Sequence, residues 1–254
     1  SIRKKITSKT KAILPVHIFG HPSDMDEIMQ VAKEHKLVVI EDCAQAFGAT
    51  SGGKVVGSIG DTGSFSFYPT KVLGCYGDGG MVTTNSDALN EHIRRLRNHG
   101  AAKPFIHVEI GMNSRLDEVQ AALLRLKLRT IKNDIAGRQQ VAAEYTKRLA
   151  GSAVKTPTLP KHGTHVFNLY TIRVPKRDAV RQALTDAQIG TSQCYPQGLH
   201  LQDVYKKLSY KPGSLPVCEH ATTETLSLPI YPGMPLAHIE RVCDVLIGAV
   251  KSTG

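Results

Sequence analysis

The hydrophobic pattern at the start of the chain is typical of an α/β protein. Residues 12–20 (AILPVHIFG) predict a buried strand closed by Gly20 and Pro22, and residues 37–42 (LVVIED) predict a central parallel strand. The segment between them, SDMDEIMQVAKEHK, has apolar residues at near-helical spacing, with Ser23 as the expected N-cap. Strand, helix and strand within about thirty residues indicate a βαβ unit.

The next segments continue this pattern. Residues 62–69 and 79–85 predict two strands on either side of a glycine-rich turn, and residues 86–100 predict a helix capped by Ser86 and stopped by Gly100. The chain then reads as helical from Ser114 to about Gly151. The spacings of three and four in this stretch place four apolar residues on one helix face: Leu116, Val119, Leu123 and Leu126.

The second half is predicted to form a smaller unit. A proline-bearing linker, TPTLPKHGTH, precedes two predicted strands at 168–175 and 189–195, with a helix between them. Two terminal helices are expected at 215–226 and 236–250. The fold class is therefore α/β, with a large domain over residues 1–150 that includes a long connecting helix. A small α+β domain follows over 151–254.

Composition excludes several classes of protein. The 254 residues are 41% hydrophobic and 21% charged, with no apolar run long enough for a membrane span and no signal segment. The five cysteines form no Cys-x-x-Cys pair and the histidines no HExxH pattern, so neither a disulfide framework nor a metal site is expected. A reducing cytosol fits this cysteine usage. The net charge is +10, but the basic residues form no nucleic-acid-binding pattern. The charge therefore favours an anionic small molecule as the ligand.

Lys71 is the first candidate for chemistry. It lies at the mouth of the turn GSFSFYPTKVLGCYGDGG, among small and aromatic residues. A lysine amine can bond covalently to carbonyl substrates and to pyridoxal phosphate when its proton is removed. Taken alone, such a lysine far more often has a structural or solvating surface role, so the interpretation depends on its neighbours.

Asp42 is the most informative neighbour. It ends the predicted strand VVIED, and ligands of open α/β sheets collect at the carboxyl ends of the strands. An aspartate there can keep a pyridine nitrogen protonated, or it can simply cap a backbone turn. Gln45 offers an amide to a ring oxygen, Ala44 is small enough to lie under a flat ring, and Ser66 offers a hydroxyl to a phosphate. Each of these three also has an ordinary structural interpretation.

Asn113 and Arg115 flank the start of the long predicted helix. Ser114 is the expected N-cap, with Asp117 three residues later approximating a capping box. This structural role does not account for Asn113 and Arg115, whose side chains could reach anionic groups.

Taken together, these motifs resemble the DegT/DnrJ/StrS-type family of pyridoxal-phosphate-dependent sugar aminotransferases. The resemblance rests on ED-x-AQ-x-x-G, on G-S-F-S-F-x-P-T-K-x-x-G-x-x-G-D-G-G and on N-S-R-L-D-E-x-Q-A-A, in this order. It extends to ILPVHIFGHPSDMDEIM near the start and to YPQGLHLQDVY and LSLPIYP near the end.

The resemblance implies a fold type I enzyme that works as a homodimer with shared active sites. It implies that Lys71 binds the cofactor covalently and acts as the general base, and that Asp42 pairs with the ring nitrogen. The remaining implied roles are cofactor contacts for Ala44, Gln45, Ser66 and Asn113, and substrate contacts for Arg115 and Tyr195.

The implied reaction moves an amino group from glutamate to a keto-sugar nucleotide, with a lean to 3-keto sugars, in amino-sugar or polysaccharide biosynthesis. The family often has His before the Tyr-Pro pair, where this chain has Cys194. The chain corresponds to the C-terminal two-thirds of a typical member, so a phosphate loop and a stacking aromatic residue are expected upstream. Two alternatives stay open: a sugar dehydratase, which Lys71 disfavours, and a non-catalytic or truncated subunit.

Overall fold

The computed structural model describes residues 1–253, which form two compact units. The first comprises Ser1–Ile135 and Leu159–Asn168, and the second comprises Ala136–Thr158 and the chain from Leu169 onward. The domain division at residue 150 stays a prediction. Among the described residues, no helix has both the length and the apolar composition that crossing a bilayer requires.

The strands are short. They are β1 Ala12–Ile13, β2 Val38–Asp42, β3 Thr50–Ser51, β4 Lys54–Val55, β5 Thr62–Ser66, β6 Gly80–Thr84, β7 Ala101–Lys103, β8 Ile106–His107, β9 Gly163–Thr164, β10 Tyr170–Arg173 and β11 Thr225–Leu228. The helices are α1 Met25–His35, α2 Asp87–Leu96, α3 Glu118–Leu128, α4 Ile131–Leu149, α5 Arg177–Asp186, α6 Pro216–Glu224 and α7 Leu236–Thr253.

The main sheet of the first unit has the order β1-β2-β5-β6. Strand β2 is parallel to both β1 and β5, and β6 closes one edge antiparallel to β5. The predicted central parallel strand and the two strands around the glycine-rich turn are therefore confirmed. With α1 connecting β1 and β2, the predicted βαβ unit is confirmed as well.

The first strand is shorter than its sequence predicted. Only Ala12–Ile13 form β1, because Pro15 has no N–H to continue the ladder. Past the proline, the chain keeps a looser pairing: the His17 N–H donates to the Asp42 carbonyl over 3.0 Å. A 3-10 turn, Ile18–Gly20, then replaces the predicted strand end, with Phe19 at φ 59°.

Two of the predicted helix caps are wrong. Helix α1 is capped by Asp24, whose side chain accepts from the Glu27 N–H, while the Ser23 hydroxyl donates to the Val16 carbonyl. Helix α3 begins only after Asp117, since the Ser114 N–H is bound to the Arg97 carbonyl in an extended segment. The cap at Ser86 is confirmed, because its side chain accepts from the Leu89 N–H.

The long helical stretch is divided into α3 and α4. Its predicted apolar face is mostly turned to solvent in α3, where Val119 is 71% and Leu126 is 58% exposed. The buried residue of α3 is Leu124, which joins a core cluster with Val72 and Leu73. The face that packs inward is therefore rotated from the one that the apolar spacing predicted.

Glu41 is a fully buried acid at the centre of the first unit. Its carboxylate accepts backbone N–H groups of Gly57 (2.8 Å), Ile59 (2.8 Å) and Gly60 (2.7 Å). It also accepts the Nε2 proton of buried His17 over 3.1 Å, because His17 Nδ1 already accepts from the Ser23 N–H. Burial raises the pKa of Glu41, but these four hydrogen bonds outweigh it and leave the pKa below its ordinary value.

The second unit is built on the antiparallel pair β10 and β11. Helices α5 and α7 pack against each other. Tyr145 and Tyr170 lie in the interior of the second unit, with their ring centroids 5.1 Å apart. The predicted strand at 189–195 is wrong, since only one bridge, Ser192 to Ser227, forms there. The terminal helices are confirmed, although the first ends at Glu224, where β11 begins.

We expect Glu41→Gln to destabilise the fold by about 3 kcal/mol. The amide cannot accept all four hydrogen bonds, and each buried donor left unpaired costs about 1–3 kcal/mol. Urea denaturation followed by circular dichroism measures the change. The control is Glu34→Gln, which removes the same charge from an exposed pair with Arg3 and should change the free energy of unfolding far less. Equal losses in the two variants would contradict this account of Glu41.

Candidate active site

Two predicted site residues lie at the ends of neighbouring strands. Asp42 ends β2 and Ser66 ends β5, and Asp42 pairs with Ser64 in the parallel register. Side chains of paired residues, and of residues two apart on one strand, point to the same face of a sheet. Asp42 and Ser66 therefore share a face at the carboxyl edge, with Cα atoms about 8 Å apart by standard strand geometry.

The Asp42 carboxylate is half-buried and takes part in a tight turn. Its Oδ1 accepts the Ala44 N–H over 3.0 Å, and the described residues provide it with no other hydrogen bond. The turn-capping interpretation of Asp42 is therefore correct as far as Oδ1 is concerned. The second oxygen, Oδ2, is available to accept a proton or a hydrogen bond from a ligand.

Gln45 is held by the turn that follows β1. Its Oε1 accepts the N–H of Phe19, a residue with a left-handed backbone, over 2.6 Å. This bond fixes the orientation of the amide, with the NH₂ group as its donor end. Ala44, one residue earlier, is half-buried and has a small side chain.

Lys71 lies in a closed loop between β5 and β6. The loop is fastened at its base, where the Cys75 N–H donates to the Phe67 carbonyl over 2.8 Å and the Phe67 N–H donates to the Gly79 carbonyl over 2.7 Å. Lys71 is half-buried, and its own N–H donates to the Tyr68 carbonyl. Across residues 1–253, no carboxylate forms an ion pair with its ammonium group.

The Ser66 hydroxyl is placed to donate. Its oxygen accepts the Tyr68 N–H over 3.3 Å, which leaves the hydroxyl proton for an acceptor. A carboxylate, a hydroxyl and an amine are thus gathered on two adjacent strand ends and on the loop that follows them. These groups suit a ligand with a basic ring nitrogen, a carbonyl and an anionic substituent.

The remaining predicted residues lie on more open surfaces. Asn113 is exposed and forms a bridge with Asn98. Arg115 is also exposed, and its guanidinium donates to Asn98 Oδ1 over 2.8 Å, so both residues are anchored to the segment after α2. Tyr195 belongs to the second unit, where it is 44% exposed with φ 65°.

One buried group near Gly20, the imidazole of His165, has no signature in the sequence. His165 is buried, stacks on Phe167 with ring centroids 3.9 Å apart, and meets the edge of His21. Burial, together with His21, lowers the pKa of His165 to about 3. This segment reaches the site through Gly20, whose carbonyl accepts the Val166 N–H. No spacing rule links residue 165 to residue 20, so the sequence could not reveal the contact.

A cluster of His17, Glu41 and Cys43 resembles a metal site only in composition. Both ring nitrogens of His17 and both carboxylate oxygens of Glu41 are already hydrogen-bonded. Burial and the neighbouring acids raise the pKa of Cys43, which keeps its thiol protonated. These three residues therefore hold the fold together and do not provide ligands for a cation.

Comparison with known proteins identifies clear relatives. The sequence profile of the DegT/DnrJ/EryC1/StrS aminotransferase family matches residues 1–247. A "pleiotropic regulatory protein" of Geobacillus stearothermophilus is 48% identical over 91% of this chain and 63% of its own length. The UDP-N-acetyl-3-dehydro-alpha-D-glucosamine 3-aminotransferase of Acidithiobacillus ferrooxidans is 43% identical over 96% of this chain and 66% of its own. The chain thus spans about two thirds of these relatives.

A solved structure supports the same assignment. The crystal structure of DesV from S. venezuelae, in complex with a ketimine intermediate, is 40% identical and superposes with a TM-score of 0.95. The match covers 98% of this chain and 68% of that one. The predicted fold class is confirmed by this similarity.

We expect His165→Gln to reduce the acid sensitivity of the fold. Because the pKa of His165 is about 3 in the folded chain and near 6.5 when unfolded, only the unfolded chain takes up this proton between those values. Its contribution to stability is complete above pH 6.5 and is lost as the pH falls toward 3, by about 1.4 kcal/mol per pH unit. Urea denaturation from pH 4 to pH 7 should show a shallower slope in the variant.

The control for this experiment is His162→Gln, which changes an exposed histidine of the same segment. Its slope should match that of the unmodified protein. If His165→Gln keeps the original slope as well, the buried imidazole does not account for the acid sensitivity.

Proposed function

The chain belongs to the DegT/DnrJ/EryC1/StrS aminotransferase family, and on that premise we propose that it binds pyridoxal phosphate and transfers an amino group from glutamate to a keto-sugar nucleotide. The observation that carries this proposal is the gathering of Asp42, Ser66 and the Lys71 loop at one sheet edge. The names of the relatives, several of which act at a 3-amino or 3-dehydro position, favour a 3-keto sugar.

The donor set fits this cofactor. Asp42 retains Oδ2 for a protonated ring nitrogen, and the orientation of Gln45 suits donation to the ring hydroxyl. Ala44 leaves room for a flat ring beside the turn. The Ser66 hydroxyl proton is suited to a phosphate oxygen, and the Lys71 amine lacks a competing ion pair among the described residues.

When bound, pyridoxal phosphate supplies an electron sink for the carbanion formed on the substrate. Asp42 holds the proton on the ring nitrogen and so maintains that sink. The Lys71 amine would hold the cofactor and would move the proton at the carbon that loses or gains the amino group. Gln45 and Ser66 keep the ring and the phosphate from shifting while that proton moves.

We assign the contacts to the substrate and to the partner subunit to the more exposed residues. Arg115 and Tyr195 contact the sugar nucleotide, and the net charge of +10 favours its diphosphate. Asn113 reaches the phosphate of the neighbouring active site in a homodimer. The exposed apolar residues of the β7–β8 region, with Phe105 and Ile110 both 96% exposed, support such a contact.

We place the reaction in the cytoplasm, within amino-sugar or polysaccharide biosynthesis. All five cysteines are free thiols, which supports a reducing compartment. A second candidate is a regulatory role without turnover, favoured by the name of the Geobacillus stearothermophilus relative. The two are separated by the absorbance of the chain with pyridoxal phosphate, which glutamate changes only if the first half of the reaction takes place.

We expect Lys71→Ala to abolish this response to glutamate, with a loss on the order of 10³-fold or more, because the variant lacks the general base. Some cofactor should still bind through the ring and phosphate contacts. Borohydride reduction with pyridoxal phosphate, followed by peptide mass spectrometry, should label Lys71 in the unmodified chain. Lys54→Ala, at an exposed lysine of β4, is the matched control. Labelling spread evenly over the lysines would refute the assignment of Lys71.

We expect Asp42→Asn to slow turnover on the order of 10²- to 10³-fold while the fold is kept, since the charge that stabilises the ring proton is removed. The amide oxygen can still accept the Ala44 N–H, so the turn survives. Asp61→Asn is the control, because its carboxylate also accepts a strand N–H, that of Val39, on the same sheet. Unchanged rates in Asp42→Asn would remove Asp42 from the ring-nitrogen role.

A further inference from the structure

Helix α3 presents one side-chain row to the loop that carries Lys71. Gln120, Leu124 and Lys127 are spaced by four and three residues, so they share a face of the helix. Gln120 and Lys127 are half-buried and Leu124 is buried. This is the inward face of α3, and two of its three side chains are polar.

The two polar side chains bind loop backbone on either side of Cys75. Gln120 Oε1 accepts the Tyr76 N–H over 2.8 Å, and Lys127 Nζ donates to the Gly74 carbonyl over 2.5 Å. A Cβ atom at Gly77 would lie only 3.1 Å from Gln120 Nε2, so the loop approaches the helix closely there. Leu124 lies between Gln120 and Lys127 in sequence and belongs to the same core cluster as Leu73.

The contact of Lys127 continues to Lys71 in two steps. Gly74 lies close to the start of the same loop, since a Cβ atom built on Gly74 would be 2.8 Å from the Tyr68 carbonyl oxygen. The same oxygen accepts the Lys71 N–H over 2.9 Å. A shift of Gly74 would therefore move the carbonyl that fixes the backbone of Lys71.

We propose that Gln120 and Lys127 are positioning residues for the Lys71 amine. By binding Gly74 and Tyr76, they fix the segment of the loop that leads back to β6. Through the Tyr68 carbonyl, they also fix the position of the Lys71 backbone. The catalytic consequence rests on the proposed function, because a misplaced amine reaches neither the cofactor carbonyl nor the substrate proton. The charge on Lys127 strengthens its hydrogen bond beyond that of a neutral donor.

The test compares pairs of variants in the full chain without cofactor. Gln120→Leu removes the acceptor for Tyr76 and Gln120→Glu keeps one, while Lys127→Met removes the donor and Lys127→Arg keeps one. Amide hydrogen exchange of Tyr76 should rise about tenfold in Gln120→Leu and stay near the original rate in Gln120→Glu. Acetylation of Lys71 by acetic anhydride, measured across pH, should rise severalfold in Lys127→Met and return to normal in Lys127→Arg.

Arg125→Met, which removes an exposed cation from the same helix, is the control and should change neither rate. Circular dichroism melting establishes that each variant is folded. If Lys127→Met fails to fold, the proposal is tested with Gln120→Leu and Gln120→Glu, and both the exchange rate and the acetylation rate are measured on each. Original exchange and acetylation rates in Gln120→Leu and Lys127→Met would overturn the proposal.

A separate measurement distinguishes this proposal from the function itself. Borohydride-trapped attachment of pyridoxal phosphate to Lys71 should slow about tenfold in Lys127→Met and recover in Lys127→Arg. If the unmodified chain attaches no cofactor at Lys71, the proposed function fails. The exchange and acetylation rates still decide the positioning role, since neither uses the cofactor.

Discussion

The buried carboxylate of Glu41 is the interaction on which the geometry of the first unit depends. It binds the imidazole of His17, which follows β1, and three backbone N–H groups between Gly57 and Gly60, which precede β5. One side chain thus joins the segments on both sides of β2. Because a buried carboxylate is tolerated only with its hydrogen bonds made, these segments have few alternative arrangements. The end of β2 is therefore fixed before any ligand is bound.

Strand alternation then gives two consecutive acids opposite tasks. Glu41 points into the interior, while Asp42 points to the other face, where it is half-buried and hydrogen-bonded only through Oδ1. The neighbouring strand adds Ser66 to the same face, and its closing loop adds Lys71. Helix α3 supports that loop from behind through Gln120 and Lys127. The candidate site residues thus lie on strand ends and on a loop that α3 supports, while the charge of Glu41 is buried in the interior.

The sequence was sufficient where the pattern was local. The βαβ unit, the strands around the lysine turn and the Ser86 cap follow from spacing and from turn chemistry, and the fold class follows from the resemblance. It failed where distant contacts decide. Ser114 is hydrogen-bonded to Arg97 and does not cap α3. The inward face of α3 is determined by hydrogen bonds to loop backbone groups, which the apolar spacing of the helix does not indicate. The edge contact between His165 and His21 has the same origin, because it joins residues more than a hundred positions apart.

The bond between the Phe19 N–H and Gln45 Oε1 has a consequence for how this position can evolve. Glutamate at residue 45 would offer the same kind of oxygen to the Phe19 N–H. The other end of the side chain, however, would change from a donor to an acceptor. Gln and Glu codons differ by a single nucleotide, so one mutation inverts the polarity offered to a ligand and leaves this backbone contact in place. The identity of residue 45 therefore decides whether this end of the side chain is a donor or an acceptor.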